Sequence, residues 1–332
     1  MIGFRSVDFC FDFGSANIRI SSIPKGVLIT EASRAVVYHG TGNPDIIALG
    51  DTALDMHGKL PKSLEMVYLV RDGVVQESFC LEYLVREMLG QMQENIIWAM
   101  QQVYITVPNV ANDVEKQNLR ELMKKLGINR VHFINRAMAG ATTLKIPYQQ
   151  PHGYCIIDIG AHTTDMTILS CSDIVANKLV KLGGSNLDQA LSRYIRENYN
   201  IEISSEQARK LKEQYGCAIP DMEQTELVEI RGKSLETLFP EMKYIPRYEI
   251  HKGIGNGLQL LVDAIEEFIE HVPLELSTDV AQIGIVLVGG GALLPEIDVA
   301  ITNVINILAI IPENPHETCV LGASSVGIIE SL

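Results

Sequence analysis

Residues 7–21 read "VDFCFDFGSANIRIS": an apolar run, an aspartate near its end, a glycine with a short polar turn, then a second apolar run. Strand-forming residues on either side of a Gly-containing turn are the pattern of a β-hairpin. The pattern returns at residues 156–170 as "IIDIGAHTTDMTILS". Two copies of one hairpin imply a chain built from two similar halves.

Each hairpin offers a turn whose successive backbone N–H groups can converge on an anion. Gly14 and Gly160 allow the unusual dihedrals and the close approach of backbone to ligand. Asp12 and Asp158, one before each turn, would repel a phosphate unless a cation intervened. Magnesium resolves that conflict, since it binds few carboxylates, keeps several waters and bridges to phosphate oxygens. The pair of turns therefore reads as a site for a nucleotide with Mg2+ held between two halves, the aspartates reaching the metal through water. A lone hairpin of this kind is more often an ordinary turn. A third element, "IGIVLVGGGALLPEID" at residues 283–298, is a buried strand followed by Gly289, Gly290 and Gly291 and then a helix expected from about Pro295. Glycines at a strand end let a flat ligand such as a purine lie on the backbone.

Length and composition bound the rest. At 332 residues the chain is long enough for about two domains. With 47% apolar and 20% charged residues it is a globular sequence, and no apolar run reaches the ~18 residues of a membrane span. The start "MIGFRSVDF" carries no basic region followed by a long apolar one, so a cytoplasmic location is expected. A formal charge of −14 disfavours a nucleic-acid groove, which needs clustered Lys and Arg. The six cysteines form no CxxC pair and suggest neither zinc nor disulfide.

Strands are expected at 7–13, 17–23, 103–107, 154–159, 165–170 and 284–288, with helices at 81–92, 112–126, 186–198, 204–215, 257–270 and from about 322. Alternating strands and helices argue for an α/β fold with mixed sheets. Scattered Gly and Pro make 216–256 read as a peripheral subdomain rather than core.

The order of hairpin, second hairpin and glycine-rich turn resembles the actin, sugar-kinase and heat-shock-chaperone ATPase superfamily. Within it the chain resembles the bacterial actin family MreB along nearly its whole length, through "VYLVRDGVV" (67–75), "VYITVPNVANDVEKQNLRELMKKLGINRVHFINRAMAGA" (103–141), "KLGGSNLDQALSRYIRENYN" (181–200) and "LVGGGALLPEID" (287–298). The resemblance implies an actin-like ATPase fold: two similar halves, each with a mixed five-stranded sheet and helices, four subdomains, and the nucleotide in the central cleft. The implied boundaries are 1–30 with 67–146 and 315–332 for subdomain IA, 31–66 for IB, 147–184 with 251–314 for IIA, and 185–250 for IIB.

By the same resemblance Ser15, Ala16 and Asn17 form the first phosphate loop, and Ala161, His162 and Thr163 the second. Gly289 to Gly291, Ala292 and Leu293 hold the adenosine, Arg209, Lys210, Leu211 and Lys212 approach the ribose and base, and Gly184 opens the smaller subdomain of the second half. ATP, or GTP, with Mg2+ is the implied ligand. Arg136 stands where the family places the acid that orients the attacking water, and Thr164 is the other implied catalytic position. Arginine has no acceptor and cannot orient water as a base. His162 stands where the family has a glycine, and Arg209 where it has a glutamate. These departures imply impaired hydrolysis, with a slow ATPase as the alternative.

"NIIWAMQQVYITVP" carries Ile97 and Trp98 at the position of the family's membrane-inserting loop. Trp suits a bilayer interface, although the same residues would equally complete a core helix. The resemblance further implies self-association into filaments at the inner face of the membrane, with envelope-synthesis or scaffold proteins as partners and a role in cell shape. Two rivals share the fold: a non-polymerising nucleotide-binding adaptor, and a small-molecule kinase, which would need a carboxylate base where Arg136 stands.

Overall fold

The computed structural model describes residues 9–23, 25–38, 44–92, 102–219 and 226–329. The chain divides into two units, the first of Met1–Pro151, Cys171–Asp173 and Glu317–Leu332, the second of His152–Ser170 and Ile174–His316.

The main sheet of the first unit has the strand order β10 (Arg130–Asn135), β9 (Gln102–Val107), β1 (Phe9–Phe13), β2 (Asn17–Ser22), β3 (Gly26–Ala32). Strands β1, β9 and β10 run parallel, and β1, β2 and β3 antiparallel. Side chains alternate across a strand, so Phe9, Phe11 and Phe13 enter the larger core of the unit while Cys10 packs on the opposite face with Tyr104, Ile134, Ala139, Val320 and Ala323. Asp12, two residues on from Cys10, belongs to that second face. A smaller sheet of β5 (Asp45–Leu49), β4 (Arg34–Tyr38) and β6 (Leu64–Tyr68) accompanies the first.

The second unit repeats the plan as β13 (Asp173–Val180), β12 (Thr164–Ser170), β11 (Tyr154–Ile159), β17 (Ile285–Val288), β18 (Ala309–Ile310), again with three parallel strands, β12 antiparallel to β11 and β13 beyond it. Its small sheet is β14 (Ile201–Glu202), β15 (Leu227–Ser234), β16 (Pro240–Pro246). Each unit thus has a five-stranded mixed sheet and a three-stranded satellite.

Helices α1 (Gly50–Asp55), α2 (Ser78–Gln91), α3 (Asp113–Lys125) and α4 (Arg136–Thr143) follow in the first unit, then α5 (Gly184–Tyr199), α6 (Ser205–Tyr215), α7 (Tyr248–Glu270), α8 (Leu274–Ile283) and α9 (Ile297–Ile305) in the second, and α10 (Thr318–Ile329) returns to the first. Local chemistry starts and stops them. Asn112 accepts from Glu115 N while the Glu115 carboxylate accepts from Asn112 N, a capping box that opens α3. Several boundaries differ from the sequence expectation: α7 begins at Tyr248 rather than 257, and α10 at Thr318 rather than about 322. The helix expected from Pro295 begins at Ile297, after a 3-10 turn over Gly290–Leu293. The stretch 216–256 supplies core as well as periphery: Val228, Ile230, Ile245, Ile250 and Ile254 are buried in the main cluster of the second unit.

Helices α4 and α10 pack at backbone distance. The Thr143 hydroxyl donates to Thr318 O at 2.6 Å, and a Cβ on Gly322 would fall on the carbonyl oxygen of Ala139. Overpacking of this kind costs about 1–3 kcal/mol. Gly90, near the end of α2, faces open space instead, where removing glycine from a helix stabilises by roughly 0.4–1 kcal/mol. Chemical denaturation of Gly322→Ala and Gly90→Ala should therefore show shifts of opposite sign, the first destabilising.

Candidate functional site

The two hairpin turns close identically. Gly14 N donates to Asn17 O at 3.0 Å and Gly160 N to Thr163 O at 2.8 Å. A Cβ would lie 2.7 Å from Asn17 O at the first position and 2.9 Å from Thr163 O at the second, so both turns require glycine. The turn carbonyls are then tied from outside. In the first unit Ser33 N donates to Ala16 O at 2.8 Å and the Arg34 guanidinium donates to Ser15 O at 2.8 Å. In the second, Gly184 N and Ser185 N, at the start of α5, donate to Gly160 O and Ala161 O at 3.0 and 2.7 Å.

A planar trans peptide sets its N–H opposite its C=O, so tying these carbonyls aims the amides of Ala16 and Asn17, and of Ala161 and His162, the other way. Successive amides held in this manner make an anion-binding concavity. Gly183 is part of the second tie, since a Cβ there would sit 2.7 Å from Gly160 O and 2.8 Å from Ala161 O.

Asp12 lies at the carboxyl end of β1 and is 8% exposed. Its Oδ1 accepts from Thr106 Oγ1 at 2.8 Å and from the Arg136 guanidinium at 3.2 Å, and Arg19 stands 3.6 Å from its Oδ2. Register explains two of the three partners: Arg19 is the cross-strand neighbour of Asp12 on β2, and Thr106 its neighbour on β9. Arg136 arrives as the first residue of α4, just beyond β10, and the Asn135 side chain caps that helix by accepting from Ala137 N and Met138 N. In the second hairpin the neighbour of Asp158 in the same register is another acid, Asp165. The aspartates expected to be equivalent thus have opposite electrostatic surroundings along their own hairpins.

The glycine turn follows β17. Gly289 has φ 85°, in a region L side chains avoid, and its N–H donates to Pro315 O at 2.9 Å. A Cβ there would strike the Asp158 carboxylate and lie 2.5 Å from Ile159 O, while one on Gly291 would strike the Ile159 side chain. Those two glycines let the turn close on the end of β11. Gly290 meets nothing within 4 Å, so it is the one whose backbone is open to a ligand. Ala292 is buried and Leu293 exposed.

Thr164 is fully buried, and its hydroxyl donates to Leu182 O at 2.8 Å. Leu211 packs in the core of the second unit, so its side chain cannot take the ligand role implied for it. Lys212 donates to Gly184 O at 2.8 Å and forms an ion pair with Asp188, its Nζ 2.8 Å from Oδ1. Burial pushes the Asp188 carboxyl up, against the pull of Lys212. Lys210 lies 3.6 Å from Glu206. Arg209 is gripped by Glu206, at 2.5 and 2.9 Å, and by Glu213, at 2.7 and 2.8 Å, and the Glu206 bonds push its pKa further up. Acidic residues thus stand one turn to either side of Arg209 and are engaged by it.

Arg19, Arg34, Thr106, Asp188, Glu206 and Glu213 escaped sequence reasoning. The Glu206, Arg209, Glu213 spacing was legible as helical ion pairs; the long-range pairs carried no local signal. Ile97 and Trp98 lie outside the described residues. Among the described residues no helix is long and apolar enough to cross a membrane.

The family model described as MreB/Mbl protein matches residues 6–329. The cell shape-determining protein MreB of Escherichia coli (strain K12) is 30% identical over 321 residues, spanning 96% of this chain and 92% of that one. The cell shape-determining protein Mbl of Bacillus subtilis (strain 168) is 25% identical over 315 residues, 95% and 94% of the two chains. Among solved structures, MreB 5 of Spiroplasma citri bound to AMPPNP superposes with a TM-score of 0.90 at 28% identity, covering 99% of this chain and 100% of that one. The MamK double helical filament shares the fold, with a TM-score of 0.74 at 17% identity over 97% and 98% of the chains. A near-complete family match over an actin-like fold with duplicated hairpin turns has one reading: the chain belongs to the MreB/Mbl family.

Proposed function

We propose that this protein binds ATP, or GTP, at its two hairpin turns and glycine turn, and polymerises into filaments at the inner face of the cytoplasmic membrane that organise envelope synthesis and cell shape. The carrying observation is the pair of turns with identical closure and tied carbonyls, which suits them to phosphate binding. Similarity to a structure that holds AMPPNP supports the nucleotide. Family membership supports the filament and the four-subdomain division at the boundaries given above. Membrane contact is assigned to Ile97 and Trp98, an apolar pair suited to an interface rather than a span.

The surroundings of Asp12 disfavour magnesium there. A hydrated cation needs an anionic oxygen, and that carboxylate already serves Thr106, Arg136 and Arg19. With an arginine at 136 no side-chain acceptor there orients water, so bound ATP is held rather than rapidly turned over. This separates the protein from a small-molecule kinase, whose substrate hydroxyl needs a carboxylate base.

Pelleting with ATP, a non-hydrolysable analogue or no nucleotide, with and without liposomes, tests the filament. Sedimentation that needs nucleotide or liposomes supports it, and Trp98→Ala should reduce the liposome-bound fraction alone. A protein that binds nucleotide but stays monomeric in every condition is the adaptor instead. Gly160→Ala, which forces a Cβ against Thr163 O, should weaken nucleotide binding by about tenfold or more, on the order of 1.4 kcal/mol, as read by titration of a fluorescent analogue.

A further inference from the structure

We propose that this chain binds the polyphosphate of its nucleotide without a divalent cation, the Arg136 guanidinium, fixed by Asp12, taking the place of the metal. The inference rests on the nucleotide reading above and concerns how the same site balances charge.

Three adjacent parallel strands, β10, β9 and β1, end together in the first unit. Ligands of open α/β sheets collect at the carboxyl ends of such strands. The groups placed there are Asp12 on β1, Thr106 on β9, and Arg136 directly after β10. Asp12 is also two residues before Gly14, which opens the first turn. An aspartate so placed opposes a polyphosphate when ionised and bare. Here it is neither bare nor a source of metal affinity: both oxygens have a guanidinium beside them, at 3.2 and 3.6 Å, and Thr106 donates to Oδ1 at 2.8 Å.

The Asp12, Arg19 and Arg136 side chains are only 11%, 13% and 14% exposed. Burial strengthens their mutual attraction and raises the cost of separating them. For magnesium to use Asp12, even through water, a cation must compete with two arginines that never deprotonate. A guanidinium carries five N–H donors in a planar fork suited to phosphate oxygens, and its bond to Asp12 holds that fork beside the first turn. Arginine thus supplies the positive charge, and the carboxylate acts as its anchor.

The test measures affinity for AMPPNP by calorimetry in excess Mg2+ and in EDTA, for the wild type, Arg136→Gln and Arg136→Lys. The wild-type dissociation constant should change by less than about threefold between the two buffers, under 0.7 kcal/mol. Arg136→Gln removes the cation from Asp12 Oδ1, leaving Arg19 alone to compete with a metal, so EDTA should now weaken binding by about tenfold or more. Arg136→Lys keeps the charge and should behave like the wild type. A wild type weakened threefold or more by EDTA overturns the inference and leaves nucleotide binding intact, as does a Gln variant that binds equally well in both buffers. No binding by the wild type in either buffer would overturn the nucleotide reading itself. If Arg136→Gln loses its circular dichroism signal, the wild-type ratio and the Lys variant decide.

Discussion

In each hairpin the glycine N–H reaches the carbonyl three residues on, and the carbonyls of the turn are then tied by backbone or guanidinium donors from elsewhere in the same unit. Everything at the site depends on that arrangement, because a turn with unanchored carbonyls has no fixed amide direction. The ties come from unrelated places: the residues after β3 in one unit, and the first residues of α5 in the other. The sheet plan is repeated in the two units, but the means of holding the turn is not. What the two share is a physical requirement, a rigid set of amides with a glycine at its base.

The same register that builds the hairpins sets their charge. In each, the aspartate at the end of the first strand faces the residue seven positions on. That residue is Arg19 in the first hairpin and Asp165 in the second, so one copy pairs opposite charges across the strands and the other pairs like charges. Opposite charges directly across a ladder stabilise it and like charges oppose it, each by roughly 0.2–1 kcal/mol. A duplicated backbone has therefore been given two different electrostatic surroundings for its two aspartates.

Strands with continuous apolar runs, such as β1, β11 and β17, were legible because the runs are of strand length, rich in β-branched or aromatic residues and followed by glycine turns. Helix α3 was legible from its Asn112 cap and the Gly127 that follows it. The first part of α7 was not, because Gly253, Gly255 and Gly257 lower its helical propensity. Two of those glycines are there for packing: a Cβ would meet Leu191 Cδ1 at 2.5 Å from Gly253 and Leu187 Cδ2 at 3.0 Å from Gly257, so the contact with α5 decides the position, not propensity. Strands β15 and β16 were hidden by alternation of charged with apolar residues in a stretch whose Gly and Pro suggested loop. At the site, the turns and the glycine run could be read because they are local. The Asp12–Arg136 pair joins residues 124 positions apart, and only the sheet order brings them together.

A chain with a formal charge of −14 must concentrate cations locally if it is to hold a polyphosphate. In the second unit the cations near the implied sugar and base contacts are already matched: Lys212 by Asp188 and Gly184 O, Arg209 by Glu206 and Glu213. In the first unit Arg34 anchors the turn through Ser15 O and lies 3.7 Å above the Tyr68 ring, which fixes its plane. Arg19 and Arg136 share one carboxylate. The Asp12 cluster therefore holds more cation than anion, whereas in the α6 cluster Arg209 and Lys210 are balanced by Glu206 and Glu213. The surplus of cation thus lies in the first unit at the carboxyl end of β1, where Asp12, which reads in the sequence as a metal ligand, is instead paired with two guanidinium groups.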